Sequence, residues 1–147
     1  MFRSMLCVLL LGLASFAALA DGPVRAAEVS ASDGRAVRAV IGAQLKALGG
    51  ARPADAFNYA TPAIRQRFGD AASFAEMVRS RYPMLIRPAA IGFSRPQAAP
   101  GAIVQGVQLR DRDGQAWRAV YELQREPGRG WRINGCVVEP DDASAST

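Results

Sequence analysis

The 147 residues carry 18 basic and 13 acidic side chains, a net charge of +5, with two cysteines and no histidine. Without histidine the chain has no Ser-His-Asp or Cys-His nucleophile pair, no imidazole general base and none of the usual zinc-ligand sets. The positive charge is nearly all arginine, Lys46 being the one lysine, and it is spread among acids rather than gathered into the basic patch that nucleic acid requires.

In chain order, Met1-Phe2-Arg3 supplies one positive charge, Met5 to Phe16 is almost continuously apolar, and Ala18-Leu19-Ala20 is a small-x-small site. This is the grammar of a secretory signal peptide, and the apolar run is too short to span a bilayer. Cleavage after Ala20, export to the periplasm or beyond, and no stable membrane anchor afterwards are expected. Cys7 precedes most of the apolar run, so it is no lipid-attachment cysteine. It would leave with the signal, and Cys136 alone would remain, which excludes an intramolecular disulfide.

Residues 21–31 read as a flexible lead-in. Ser32 or Asp33 can cap a helix whose stripe is Val37, Val40, Ile41, Leu45 and Leu48, ended by Gly49-Gly50. Pro53 suits the first turn of a short second helix, which Pro62 disfavours beyond Ala60. Thr61 caps a turn or two from Pro62 to Phe68, closed by Gly69. Ser73 and Glu76 have capping-box spacing for a fourth helix, with Phe74, Met77, Val78 and Tyr82 as its stripe and Pro83 as its stop. Ile91 and Phe93 alternate in a first strand. The stretch Pro96 to Gly101 reads as a loop, and residues 139–147 as a disordered tail.

Three alternating runs fill Val104 to Val138. The first has apolar Val107 and Leu109. The second sets Trp117, Ala119, Tyr121 and Leu123 against Arg118, Val120, Glu122 and Gln124. The third sets Trp131, Ile133, Gly135 and Val137 against Arg132, Asn134, Cys136 and Val138. A two-residue turn at Asp113-Gly114 would scramble these faces. A three-residue loop, Arg112-Asp113-Gly114 with Gly114 at positive φ, sets Leu109 opposite Trp117 and Val107 opposite Ala119. Past Pro127-Gly128, the same parity sets Leu123 opposite Trp131, Tyr121 opposite Ile133 and Arg118 opposite Cys136. Helices first and strands after give an α+β domain, with N-terminal helices packed on one face of a curved antiparallel sheet of about four strands, residues 32–138.

Ala60-Thr61-Pro62-Ala63-Ile64, Phe68-Gly69, Phe74 with Met77-Val78 and Tyr82, and the ending Trp131-Arg132-Ile133-Asn134-Gly135-Cys136 resemble the domain-of-unknown-function 4864 family of bacterial proteins. The similarity runs from about Arg35 to Val138. The resemblance implies a small exported domain of the cone-shaped α+β kind shared with nuclear transport factor 2 and ketosteroid isomerase. It implies no activity. In that fold the pocket lies between helices and sheet, and the analogy offers Tyr59, Arg65, Tyr82, Trp117 and Tyr121 as its lining.

Enzymes of that kind pair a carboxylate base with an oxyanion-stabilising tyrosine or acid. Asp55, Asp70, Glu76 and Glu122 are available, yet nothing in their spacing pairs one with a tyrosine, and no catalytic residue or cofactor is assigned. Asp111-x-Asp113-Gly114 with Glu122 mimics a calcium loop, but Ala116 stands where such a loop needs glycine, so no metal site is assigned. The mixed sheet face, with Arg118, Val120, Arg132, Cys136 and Val138, fits a homodimer or protein-partner surface. The expectation is a non-catalytic exported binding or interaction module. The alternative is an isomerase- or hydrolase-like pocket enzyme using a carboxylate and a tyrosine.

Overall fold

The structure, a computed structural model, describes residues 27–145. The expected signal peptide, its cleavage site and most of the lead-in lie outside the described residues. Among the described residues four α-helices, α1 (Ala31–Gly49), α2 (Pro53–Asn58), α3 (Pro62–Phe68) and α4 (Ala71–Arg81), precede five strands: β1 (Ala90–Phe93), β2 (Gln97–Ala99), β3 (Ala102–Arg110), β4 (Ala116–Glu126) and β5 (Gly130–Pro140). The domain is α+β, with the helices on one face of an antiparallel sheet ordered β1-β3-β4-β5. None of the described helices is long and apolar enough to cross a membrane.

α1 forms because Val37, Ile41, Leu45 and Leu48 fall on one face, and all four are buried. Its cap is Ser30, not Ser32 or Asp33. The Ser30 Oγ accepts the Asp33 amide at 3.0 Å and donates to Asp33 Oδ2 at 2.8 Å, so the cap lies two residues before Ser32. α4 likewise starts before Ser73. Asp70 caps it by accepting the Ser73 amide at 2.7 Å, and Glu76 pairs with Arg79 at 2.9 Å instead of reaching back. Thr61 caps α3 and Gly69 closes it, as expected.

β2 was not expected. Pro96 breaks a single edge lane into β1 and β2, both of which pair with β3. The fully buried Gln105 holds the break together, its side-chain amide donating to Ser94 O at 2.7 Å and Gly106 O at 2.8 Å. Between β3 and β4 the register is the expected one, Leu109 opposite Trp117 and Val107 opposite Ala119, with Gly114 at φ 85°. Asp111 fixes this loop: Oδ1 accepts the Asp113 and Gln115 amides, and Oδ2 accepts the Trp117 indole at 2.9 Å.

The β4–β5 register is not the expected one. Leu123 faces Ile133 and Arg125 faces Trp131, so the loop is only Pro127 to Arg129. A bulge then falls at Asn134-Gly135, and beyond it Tyr121 faces Cys136, Val120 faces Val137 and Arg118 faces Glu139. One extra residue inverts every later side chain. Cys136 and Val138 therefore turn to the inner face, and Val137 turns outward, 66% exposed beside Val120 at 38%. Arg118 ion-pairs with Glu139 rather than standing over Cys136. β5 continues through Glu139 and Pro140, residues expected in a frayed tail, and a 3-10 turn, Asp142–Ala145, follows.

One core joins helices and sheet: Val37, Ile41, Leu45 and Leu48 of α1, Phe74 and Val78 of α4, and Ile103, Val107, Leu109, Ala119, Tyr121, Leu123 and Ile133 of the sheet.

Candidate functional site

α3 and α4 do not close fully over the inner sheet face. Between them and β4–β5 lies a cleft of about 640 Å³. Its walls are apolar, among them Leu48, Phe68, Phe74, Met77 and Leu85, with Phe74 held edge-on to Phe68 at 5.6 Å. Gln44 also lines it, but its amide is committed to Ala56 O at 3.2 Å. Tyr121, Ile133, Asn134, Gly135 and Cys136 supply the sheet side, so the bulge is part of the site.

Three polar side chains lie at the sheet side of this cleft: Asn134, committed to Thr61 and Glu122, and then Tyr121 and Cys136. Tyr121 is 1% exposed, and its hydroxyl is sealed from solvent against the Cys136 thiol. Burial holds that phenol well above its ordinary range, with the neighbouring Cys136 adding to the effect. Burial also pushes the Cys136 thiol up to about 12, opposed only in part by the Tyr121 hydroxyl. Cys136 is thus a protonated thiol at neutral pH, without the cation that activates a nucleophilic cysteine.

At the rim stand Arg67 from the last turn of α3, Arg81 from the last turn of α4, and Glu76. Glu76 is already paired with Arg79. Neither Arg67 nor Arg81 has a hydrogen bond or ion pair among the described residues.

Of the five lining residues offered by analogy, the cleft contains Tyr82 and Tyr121. Trp117 lines a separate groove with Pro83, Arg87 and Asp111. Tyr59 and Arg65 belong to a cluster on the β5 edge. There Tyr59 O accepts the Ile133 amide at 2.8 Å and Ile133 O accepts the Thr61 amide at 2.9 Å, covering that part of the edge. Arg65 donates to Ala60 O at 2.6 Å and to Glu126 at 3.1 Å, and the Arg132 guanidinium lies 5.9 Å from the Tyr59 ring centre. Arg65 above all, with Arg129 and Arg132 near, holds the Glu126 carboxyl below its usual range. Every arginine in this cluster is engaged, which makes it a structural tie.

Of the mixed-face residues, Arg118 and Val120 face outward, Arg132 joins the Glu126 cluster at 3.8 Å, and Cys136 and Val138 face inward. Among the described residues no three His, Cys, Asp or Glu side chains gather as a metal site would require. The sequence reading missed Arg67, Arg81, Phe68, Met77 and Cys136 as cleft residues. The usable signal was Gly135, since an isolated glycine inside a strand pattern marks a bulge.

Fold and cleft together define a small α+β domain with an open pocket between its helices and its sheet. A family model described as a domain of unknown function (DUF4864) matches residues 30–146, and the chain belongs to that family. No curated protein matches it.

Proposed function

We propose that the protein is an exported, non-catalytic module that binds a small molecule in the cleft, built on the cone-shaped plan of nuclear transport factor 2 and ketosteroid isomerase. The observation that carries the reading is the cleft itself, about 640 Å³, open between the helices and the sheet and walled by Phe68, Phe74, Met77 and Leu85. Pockets of a few hundred Å³ with few polar groups are the ordinary form of small-molecule sites.

Catalysis has less support. The carboxylate that lines the cleft, Glu76, is exposed and paired with Arg79, and neither Tyr82 nor Tyr121 meets an acid there. Export rests on the sequence of residues 1–20. The test joins both parts. Intact mass on cell fractions should show a chain beginning at Asp21 outside the cytoplasm, and that chain should bind a solvatochromic apolar dye with a raised unfolding midpoint. A full-length cytoplasmic chain would remove export, and a dye that neither binds nor stabilises would remove the binding role.

A second reading concerns the outer sheet face. Val137 and Val120 stand opposite each other there, exposed, with Gly106 and Gly135 as their flat neighbours and the Arg118–Glu139 pair beside them. Apolar centre and charged margin are the anatomy of a modest interface. Self-association through this face should show as a concentration-dependent sedimentation coefficient that Val137→Glu abolishes. A monomer at every concentration would remove it.

A further inference from the structure

β5 is an edge strand, and its edge is finished in two ways. At Ile133 it is covered. The segment Tyr59 to Thr61 lies alongside, with the Ile133 amide donating to Tyr59 O at 2.8 Å and the Thr61 amide to Ile133 O at 2.9 Å. Beyond the bulge nothing among the described residues takes that place. The Asp141 amide donates to Ala116 O at 3.0 Å, which fixes the residues of β5 that turn their backbone toward β4. Alternation in an antiparallel pair then turns Glu139 and Val137 toward β4, and the amides and carbonyls of Val138 and Cys136 outward. Those four groups have no hydrogen-bond partner among the described residues. Pro140, the next outward position, has no amide to offer, so the open edge is short.

The cleft opens at this edge. Asn134 and Gly135 line it, yet the Asn134 side chain is spent on Thr61 and Glu122, and Gly135 has none. The backbone of β5 therefore borders the space. A strand laid beside Cys136 and Val138 would occupy the lane that Tyr59 to Thr61 fills further along. Its side chain opposite Cys136 would point to the same face as Cys136, into the cleft.

We propose that β5 binds an extended peptide segment of another protein, added as an antiparallel strand at Cys136 and Val138, with one apolar side chain of that segment in the cleft. The backbone edge names the ligand class: two residues of an antiparallel strand satisfy all four open groups, and the cleft receives an alternate side chain. The rim adds only a charge preference, since Arg67 and Arg81 favour acidic residues on the same face of the segment. The start of this chain is placed elsewhere, because Glu28 pairs with Arg95, between β1 and β2 at the opposite edge of the sheet. A second copy of β5 fits badly. Paired antiparallel about Val137, it would run its tail through the lane at Ile133 that Tyr59 to Thr61 fills. Strand addition shares the cleft with the small-molecule reading but does not depend on it, since the β5 edge does the binding.

The experiment follows amide hydrogen exchange in the protein as the cell produces it, with end-blocked pentapeptides Asp-Val-X-Val-Asp up to millimolar concentration. X is leucine, phenylalanine, methionine or glycine. At least one apolar X should slow exchange of the Cys136 and Val138 amides about tenfold, leave the already bonded Ile133 amide unchanged, and outbind glycine. Methylating the backbone nitrogen of X, which faces β5, should weaken binding about tenfold. Methylating that of the following valine, which faces away, should not. Val138→Pro removes an edge donor and should weaken binding by a similar factor. The methylated peptides make the same distinction on the wild type, so the outcome does not depend on that variant folding.

No protection of Cys136 and Val138 by any of the peptides would overturn strand addition, and an apolar dye that still binds would leave the small-molecule reading in place. Equal weakening at both methylation sites would overturn the edge contact, because the peptide would then sit in the cleft as an apolar body. Protection of the same amides that rises with protein concentration, without peptide, would assign the edge to a second copy instead. Protection by peptide in a protein that binds no dye would support strand addition and remove only the small-molecule reading.

Discussion

The two halves of the β4–β5 ribbon, on either side of the Asn134-Gly135 bulge, are finished in opposite ways. Toward the turn, every side chain is tied. Asp33 at the start of α1 accepts the Trp131 indole at 3.0 Å and pairs with Arg125, whose guanidinium lies 4.7 Å from the Trp131 ring centre. Glu126 binds Arg65, and the Tyr59-to-Thr61 segment covers the strand edge at Ile133. Beyond the bulge the inner face carries Tyr121 and Cys136, set against each other beneath an open cleft. Asn134 joins the halves, accepting from Thr61 Oγ1 at 2.9 Å and donating to Glu122 at 3.0 Å. The difference teaches where stability and function separate. One half fixes the ribbon, so the other can border an open cleft without unravelling.

The largest effect should come from the tied half. Leu123 is fully buried against Ile133, and Leu123→Ala should cost about 2–5 kcal/mol, the loss of a packed core side chain plus its cavity. Cys136→Ala, on the open side of the bulge, should cost less than about 1 kcal/mol, because the small thiol borders space that can already relax. Urea midpoints of the two variants compare the halves directly. Equal losses would mean that the cleft is as tightly packed as the core.

A smaller effect separates the hairpin at the far end of the open half. Gly114 sits at φ 85° with open space around a prospective Cβ, so Gly114→Ala tests backbone conformation alone. It should cost about 1 kcal/mol. An unchanged denaturation midpoint would show that this loop is not held in that conformation.

The smallest effect is electrostatic and belongs to the tied half. The Trp131 indole, then Ser30, hold the Asp33 carboxyl below its usual value, and Arg65 chiefly does so for Glu126. A carboxyl whose folded pKa is depressed contributes stability above its unfolded pKa, and that contribution is lost as pH falls through the folded value. Stability should therefore decline on acidification below about pH 4, where free carboxylates titrate, and Asp33→Asn should flatten the decline. Midpoints with the same acid slope in wild type and variant would show that Asp33 adds nothing to it.

The sequence made the helices and the β3–β4 hairpin legible because each had two distinct faces. Only one loop length kept Leu109 and Val107 on the side of Trp117 and Ala119. Parity could not do this for β4–β5. Shifting the pairing by two residues preserves every face, so the choice between Trp131 and Ile133 opposite Leu123 depended on the charged pair Arg125-Glu126, whose strand geometry comes from distant partners. The bulge then reversed Cys136, Val137 and Val138, which alternation treats as continuous. The cleft was half legible. Tyr82 and Tyr121 follow from the helix stripe and the sheet parity. Arg65 was expected in the lining, yet residues two apart on a helix point about 200° apart, and α3 spends Arg65 on the strand edge while Arg67 reaches the rim.

The central claim is that the cleft between the helices and β4–β5 is a small-molecule site. The direct measurement is binding of a solvatochromic apolar dye to the wild type and to Met77→Trp, whose larger side chain narrows the cleft. The wild type should bind the dye and unfold at a higher midpoint in its presence, and the variant should bind it less tightly. Equal binding by the two, or none by the wild type, would contradict the account.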